Sequence, residues 1–171
     1  ELRQIGIGSS FFVKLIYHIQ KEELFALKKA YLDNVNENEK LIQREIENHT
    51  KIYNQLLPKF IGTNKKKEYV IIEFINGKTL IDINKFQLSY NDKITIIFEI
   101  MMNIEFLHRN HFIFRDIKPS IIMLDLNNTA ILIDFDRILK YNDYFEDFTN
   151  DFTSIYAAPE VNYGQISYEC D

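Results

Sequence analysis

Apolar and polar positions alternate over residues 5–19, with β-branched and aromatic side chains interrupted by Gly6 and Gly8. A short polar turn at Lys21-Glu22-Glu23 leads to a second apolar run over 24–28, so the chain opens as a hairpin-rich sheet. Residues 33–40 are polar and read as a loop entering a helix. In that helix Ile42, Glu45, Ile46, His49, Ile52, Tyr53 and Leu56 recur at helical spacing until Pro58 forbids continuation. The run over 69–75, between a Lys-rich turn and Asn76-Gly77, predicts a buried strand. Residues 91–110 give the clearest helix. Ile94, Ile97, Phe98, Met101, Ile104, Leu107 and His108 trace one side, while Ile96, Ile100 and Met102 make the other side apolar, so burial on most faces is expected. Two short apolar runs, 121–124 and 130–133, flank Asn127-Asn128 as a hairpin. From 137 to 157 aromatic and acidic residues replace any period, as in a long functional loop. The order predicts an α+β fold in two lobes, with a boundary at 76–78.

Composition narrows the function classes. At 171 residues there is room for one domain or two small lobes, and 46% hydrophobic with 14% aromatic residues excludes a disordered tail. The net charge of −5 and a single basic run, Lys65-Lys66-Lys67 at a turn, argue against a nucleic-acid partner. One cysteine, Cys170, excludes a disulfide framework and a zinc cluster and fits a reducing, cytoplasmic setting. No apolar run approaches the roughly 20 residues that span a bilayer, so no membrane association is expected. The chain starts at Glu1 rather than Met and stops at Asp171 without a closing element, and reads as a piece of a longer polypeptide.

Several residue sets carry chemistry. Gly6-Ile7-Gly8 with Val13 makes a two-glycine hairpin whose backbone N–H groups can approach phosphate oxygens without an intervening Cβ. Lys28 closes the strand Phe25-Ala26-Leu27-Lys28, and Glu45 lies on the inner helix face, where an isolated carboxylate is expensive. A Lys28–Glu45 ion pair would satisfy both groups and position the ammonium for phosphate. Phe114-Arg115-Asp116-Ile117-Lys118-Pro119 forms a polar turn between the buried helix and the hairpin. Asp134 follows an apolar strand in Ile-Asp-Phe-Asp, a placement that suits Mg²⁺, which takes few carboxylates and leaves room for phosphate oxygens. Ala158-Pro159-Glu160 comes after the long loop.

Taken in order, these segments resemble the protein kinase family of the eukaryotic serine/threonine type, across essentially the whole chain. The family's Gly-rich loop, strand lysine, helix glutamate, H-R-D loop, D-F-G and A-P-E find counterparts in Gly6 to Val13, Lys28, Glu45, Phe114-Arg115-Asp116, Asp134-Phe135-Asp136 and Ala158-Pro159-Glu160. The resemblance implies a bilobal fold: an N-lobe over 1–75, a hinge at 76–78, and a partial C-lobe over 79–171 that lacks the later helices. It implies ATP and Mg²⁺ as cofactors and a protein substrate or scaffold partner. By the same resemblance Asp116 orients the substrate hydroxyl or accepts its proton, and Lys118 steadies the transferring phosphoryl group. Asp134 holds Mg²⁺, and Lys28, held by Glu45, binds the α- and β-phosphates. Ile5, Val13, Ala26 and Met123 enclose adenine, the backbones of Glu73 and Ile75 form the hinge contact, and Ile72 is the gatekeeper. His49, Phe60, Phe114 and Phe135 form a stack.

Four positions depart from the family. Phe11 replaces the third glycine, as a bulky tip over the phosphates. Phe114 replaces the His of H-R-D with another aromatic. Ile121 stands where the family has a metal-binding Asn, and an isoleucine has no lone pair to offer. Asp136 replaces the Gly of D-F-G, either as a solvated loop acid or as a substitute metal ligand. Thr149 or Thr153 is a candidate phosphorylation site facing Arg115, with Asp143, Glu146, Asp147 and Asp151 as acidic stand-ins. Three functions follow: a serine/threonine kinase with weak or lost turnover, a pseudokinase scaffold that still binds nucleotide, and a small-molecule kinase of the aminoglycoside or choline type. Lys118 and Ala158-Pro159-Glu160 argue against the third.

Overall fold

The opening alternation becomes three antiparallel strands, β1 (Arg3–Ile7), β2 (Phe11–His18) and β3 (Glu23–Ala30), in the computed structural model. The residues described are 3–8, 10–31, 34–52, 57–83, 88–141, 155–163 and 166–171. Backbone contacts divide the chain into two units, Glu1–Tyr53 with Pro58–Ile75, and Asn54–Leu57 with Asn76–Asp171.

In the first unit, helix α1 (Val35–Lys51) follows β3. It begins earlier than the apolar period shows, because Asn34 caps it: the Asn34 side chain accepts the Asn36 N–H at 3.0 Å. The first turns are exposed and therefore polar, which hid them from a periodicity reading. At the other end the helix stops at Lys51, where Ile52 turns extended while its N–H still reaches Asn48. The expected extension through Tyr53 and Leu56 falls on 53–56, outside the described residues. Strands β4 (Phe60–Thr63) and β5 (Val70–Glu73) complete a sheet ordered β1-β2-β3-β5-β4. One sheet face and α1 share a core of Phe11, Ala26, Ala30, Ile42, Ile46, Val70 and Ile72.

The second unit contains β6 (Gly77–Thr79), α2 (Tyr90–Arg109), β7 (Phe112–Ile113), β8 (Ile122–Asp125), β9 (Ala130–Leu132) and β10 (Leu139–Lys140). Strands β6, β8 and β9 form one small antiparallel sheet, and β7 pairs with β10. Gly77, within the stretch read as a hinge, is a strand residue so close to β8 that a Cβ there would lie 2.0 Å from the Leu124 carbonyl oxygen. The hairpin turn is organised by Asp125, whose carboxylate accepts the Asn127 and Thr129 N–H groups. Strand β10 shows that the segment from 137 onward is not loop throughout; 142–154 lie outside the described residues.

Helix α2 starts in a capping box between Ser89 and Asp92. Its apolar girth does not produce all-round burial. Ile96 and Leu107 are buried, but Ile94, Ile97, Phe98, Met101 and Met102 are exposed, Phe98 and Met101 by 61% and 63%. Helical spacing reports that a face is apolar, not that something covers it. Among the described residues no helix is long and apolar enough to cross a membrane. The molecule is thus α+β: an antiparallel sheet with one helix, then a second unit with a longer helix and short strands.

Candidate functional site

In the first unit the strand period turns Ala26 and Lys28 to the same face as α1, with Val13 directly opposite Lys28 in the register. This drives an ammonium into the core: Lys28 is 4% exposed and sits over the Phe11 ring, 4.7 Å from its centre. Its charge is met by Glu45, which is fully buried on α1, with Nζ 2.5 Å from Oε1. The expected Lys28–Glu45 pair is therefore present. His49, one turn further along α1, places Nε2 3.3 Å from the same Oε1 and stacks on Phe60. Burial pushes the Glu45 carboxyl up, but the Lys28 ammonium and the His49 ring more than reverse this and bring it down to about 2.

Phe11 is not an exposed tip over the glycine turn. It opens β2 opposite Ala30, is 4% exposed, and belongs to the core beneath Lys28. Gly6 and Gly8 are not demanded by packing. A Cβ at Gly6 would meet Val13 at 3.7 Å and one at Gly8 the Phe11 carbonyl at 3.6 Å, both ordinary contacts. The Gly8 N–H donates to the Phe11 carbonyl at 2.7 Å, and the Gly8 carbonyl accepts the Tyr31 hydroxyl. Ile5 is 38% exposed and Ile72 is core. At the end of β5, Glu73 donates its N–H to Lys59 and accepts the Lys59 N–H on its carboxylate, which ties β5 to the start of β4. Ile75 closes the first unit.

In the second unit Asp116 follows β7 and is 7% exposed. Lys118 donates to its Oδ2 at 2.5 Å, and Arg137 Nη1 lies 3.6 Å from the same oxygen. The loop bearing Asp116 is held by Asp171, whose side chain is fully buried. Its Oδ2 accepts the Phe114 N–H at 2.7 Å, its Oδ1 accepts the Arg115 N–H at 2.7 Å, and His108 Nε2 lies 3.0 Å from Oδ2. Arg115 thereby keeps a left-handed backbone, φ 75°. Beyond β9, Asp134 also turns left-handed, φ 82°, and Phe135 is fully buried edge-on against Phe114. Within the first unit His49 stacks on Phe60, and within the second Phe114 meets Phe135 edge-on, so two contacts of the expected aromatic set are present. Met123 is half-buried in β8, opposite Thr79 and Ile131.

Two of the departures take on a definite environment. Ile121 is 4% exposed at the end of a 3-10 turn, and its carbonyl accepts the Ile133 N–H. It is a core side chain that brings no ligand atom. Asp136 is 6% exposed, so it is not a solvated loop acid. Among the described residues no three His, Cys, Asp or Glu side chains gather as a metal centre. Mg²⁺ needs only one or two carboxylates when phosphates complete its shell, so Asp134 fits a metal delivered with a nucleotide. The candidate phosphosites Thr149 and Thr153 lie outside the described residues.

Arg137 and Asp171 were missed by sequence reasoning. Arg137 directly follows the Asp-Phe-Asp segment, and its adjacency to that motif is the available signal. Asp171 is remote in sequence from the loop it holds, and no local pattern marks it.

The family model described as protein kinase domain matches residues 1–171. A probable serine/threonine-protein kinase of Dictyostelium discoideum is 32% identical over 165 residues, covering 92% of this chain and 27% of the relative. The cGMP-dependent protein kinase of Plasmodium berghei is 32% identical over 176 residues, covering 98% and 20%. Cyclin-dependent kinase-like 2 of Oryctolagus cuniculus is 28% identical over 177 residues, covering 96% and 30%. The chain thus spans less than a third of each of these relatives.

Proposed function

The chain belongs to the protein kinase family, and on that premise we propose that it is a serine/threonine-type kinase domain that binds ATP with Mg²⁺ but transfers the γ-phosphoryl group to protein hydroxyls weakly. The observation that carries the nucleotide reading is the buried Lys28–Glu45 pair. An ammonium and a carboxylate in a small core each cost several kcal/mol to desolvate, and apolar side chains would fill the same volume without that cost. A phosphate ligand gives the pair a reason to exist. Lys28 binds the α- and β-phosphates, with Glu45 fixing its direction. Gly6 and Gly8 offer phosphate oxygens a backbone without Cβ atoms, and Ile5, Val13, Ala26 and Met123 contribute apolar contacts to the base, with the Glu73 and Ile75 backbones as its polar partners.

Asp116, hydrogen-bonded by Lys118, orients the acceptor hydroxyl and takes its proton, and Lys118 steadies the transferring group. Asp134 would hold Mg²⁺, which supplies charge neutralisation at the β- and γ-phosphates. The weakness arises at Ile121. Loss of one preorganised electrostatic partner costs about 10²–10³ in rate. The same buried isoleucine favours a second reading, a pseudokinase that binds nucleotide without turnover.

Calorimetric titration of ATP with Mg²⁺ against wild type and Lys28→Met tests the first part: binding that disappears in Lys28→Met is expected, and no binding by folded wild type refutes the reading. Ile121→Asn separates kinase from pseudokinase. Because Ile121 is core, the variant should lose about 2–4 kcal/mol of stability, so transfer is assayed well below its unfolding midpoint. A rise of tenfold or more marks a weakened enzyme, and no rise favours the scaffold.

A further inference from the structure

Tyr31, the residue that follows β3, makes three contacts with the tip of the β1–β2 hairpin. Its N–H donates to the Ser10 carbonyl at 3.2 Å, and its hydroxyl donates to the Gly8 carbonyl at 2.5 Å. Its ring stacks on Phe12, with centroids 6.4 Å apart and planes at 25°. The first bond continues the ladder in which Phe11 stands opposite Ala30, and any residue except proline would supply it. The other two belong to the side chain. Tyr31 is 43% exposed, so the ring adds little to the core. What it adds is a tether to a residue 23 positions earlier.

A hairpin tip with two glycines is costly to order. Gly8 has no Cβ to restrict its backbone, and a free turn would have to give up that freedom when a phosphate chain is bound. Here its N–H closes onto the Phe11 carbonyl at 2.7 Å and its carbonyl onto the Tyr31 hydroxyl, so both backbone groups of Gly8 are engaged. Phe11 in turn carries Lys28 over its ring, 4.7 Å from the centre. The tip is therefore joined twice to the strand that bears the lysine. Phe11 packs against Lys28 itself, and Tyr31, three residues further along, reaches back to Gly8.

We propose that Tyr31 is a positioning residue for the phosphate end of the nucleotide: its hydroxyl latches the Gly8 carbonyl and fixes the glycine turn relative to Lys28 before any nucleotide arrives. The turn is then ordered on folding rather than on binding, and affinity for the phosphate chain rises accordingly. The latch acts on the turn alone, so contacts made by the base are insensitive to it. This rests on the reading of the glycine turn and Lys28 as a phosphate site, and it gives that site a further residue.

Tyr31→Phe removes the hydroxyl and keeps the ring. In nucleotide-free protein labelled with carbon-13 and nitrogen-15, the Gly8 carbonyl resonance is expected to move upfield in the variant, and the Gly8 amide to exchange faster with solvent. Dissociation constants for ATP–Mg²⁺ and for adenosine are then measured by calorimetry on both proteins, well below their thermal midpoints. Tyr31→Phe should bind ATP–Mg²⁺ about three- to tenfold more weakly than wild type and adenosine equally well. A hydroxyl that only stabilised the fold would lower the midpoint and leave the ratio of the two affinities untouched. Gly8 signals identical in the two proteins, or an unchanged ratio, overturn the proposal. Absence of ATP–Mg²⁺ binding by folded wild type is a different failure: it removes the nucleotide reading, and the role of Tyr31 falls with it whatever the Gly8 signals show.

Discussion

Glu45 shows how much one buried side chain can govern. Its carboxyl lies at about 2, below an ordinary value of 4.5, because Lys28 and His49 outweigh the burial that pushes it up. A depressed folded-state value means stability that is fully present above pH 4.5 and lost as pH falls toward 2. Acid unfolding followed by circular dichroism should therefore show a steep loss in that window for wild type and a shallower one for Glu45→Gln, which starts less stable because the buried Lys28 ammonium loses the carboxylate 2.5 Å from it. The pair was legible in the sequence, since a strand lysine and an inward helix glutamate each need a partner. The third member was not. His49 sits on the apolar stripe, where spacing cannot distinguish a ring that fills core from one that also reaches a carboxylate. Phe11 and Asp136 were misjudged for a related reason: strand register and turn geometry, which bury both, are set by residues elsewhere.

Among the elements, the loop carrying Asp116 depends on a distant acid. Asp171 accepts two backbone N–H groups of that loop and contacts His108 from a fully buried position. Asp171→Ala would leave these donors unsatisfied, with an expected loss of about 2–4 kcal/mol and faster amide exchange at Phe114 and Arg115, both measurable by hydrogen–deuterium exchange. Strand β6 depends on the lack of a side chain. At 2.0 Å from the Leu124 oxygen, the methyl of Gly77→Ala forces β6 away from β8, and a fall in the thermal midpoint equivalent to about 1–3 kcal/mol is expected. Element identity was largely readable: the two helices, the strand before Asn76 and the hairpin around Asn127-Asn128 follow from period and turn chemistry. Element ends were less so. Helix α1 begins on a cap and several exposed polar residues that carry no hydrophobic period, and β6 was hidden in a stretch with too few side chains to show one.

For the molecule as a whole, the consequential surface is the uncovered side of α2. Phe98 and Met101 are more than 60% exposed, and a groove of about 650 Å³ lined by residues such as Ile100, Ile104, Ile117 and Tyr168 lies along the same helix. Contiguous exposed apolar surface of this kind drives association. The 171-residue chain alone should self-associate on light scattering at micromolar concentration, and Phe98→Lys with Met101→Glu should suppress this with little change in thermal midpoint. A double variant that associates like wild type would show that α2 is not the responsible face. By itself the amino-acid order determined the α+β class, the family and the chemical identity of the site residues, because strand and helix periods and short motifs are local and survive without knowledge of distant neighbours. Only the tertiary structure decided that His49 joins Lys28 at one Glu45 oxygen, that Arg137 stands beside Asp116, that Asp171 holds the loop, and which side of α2 is covered. Each of those facts is a distance or a burial between positions far apart in sequence or around a turn, and such quantities exist only once the chain has closed on itself.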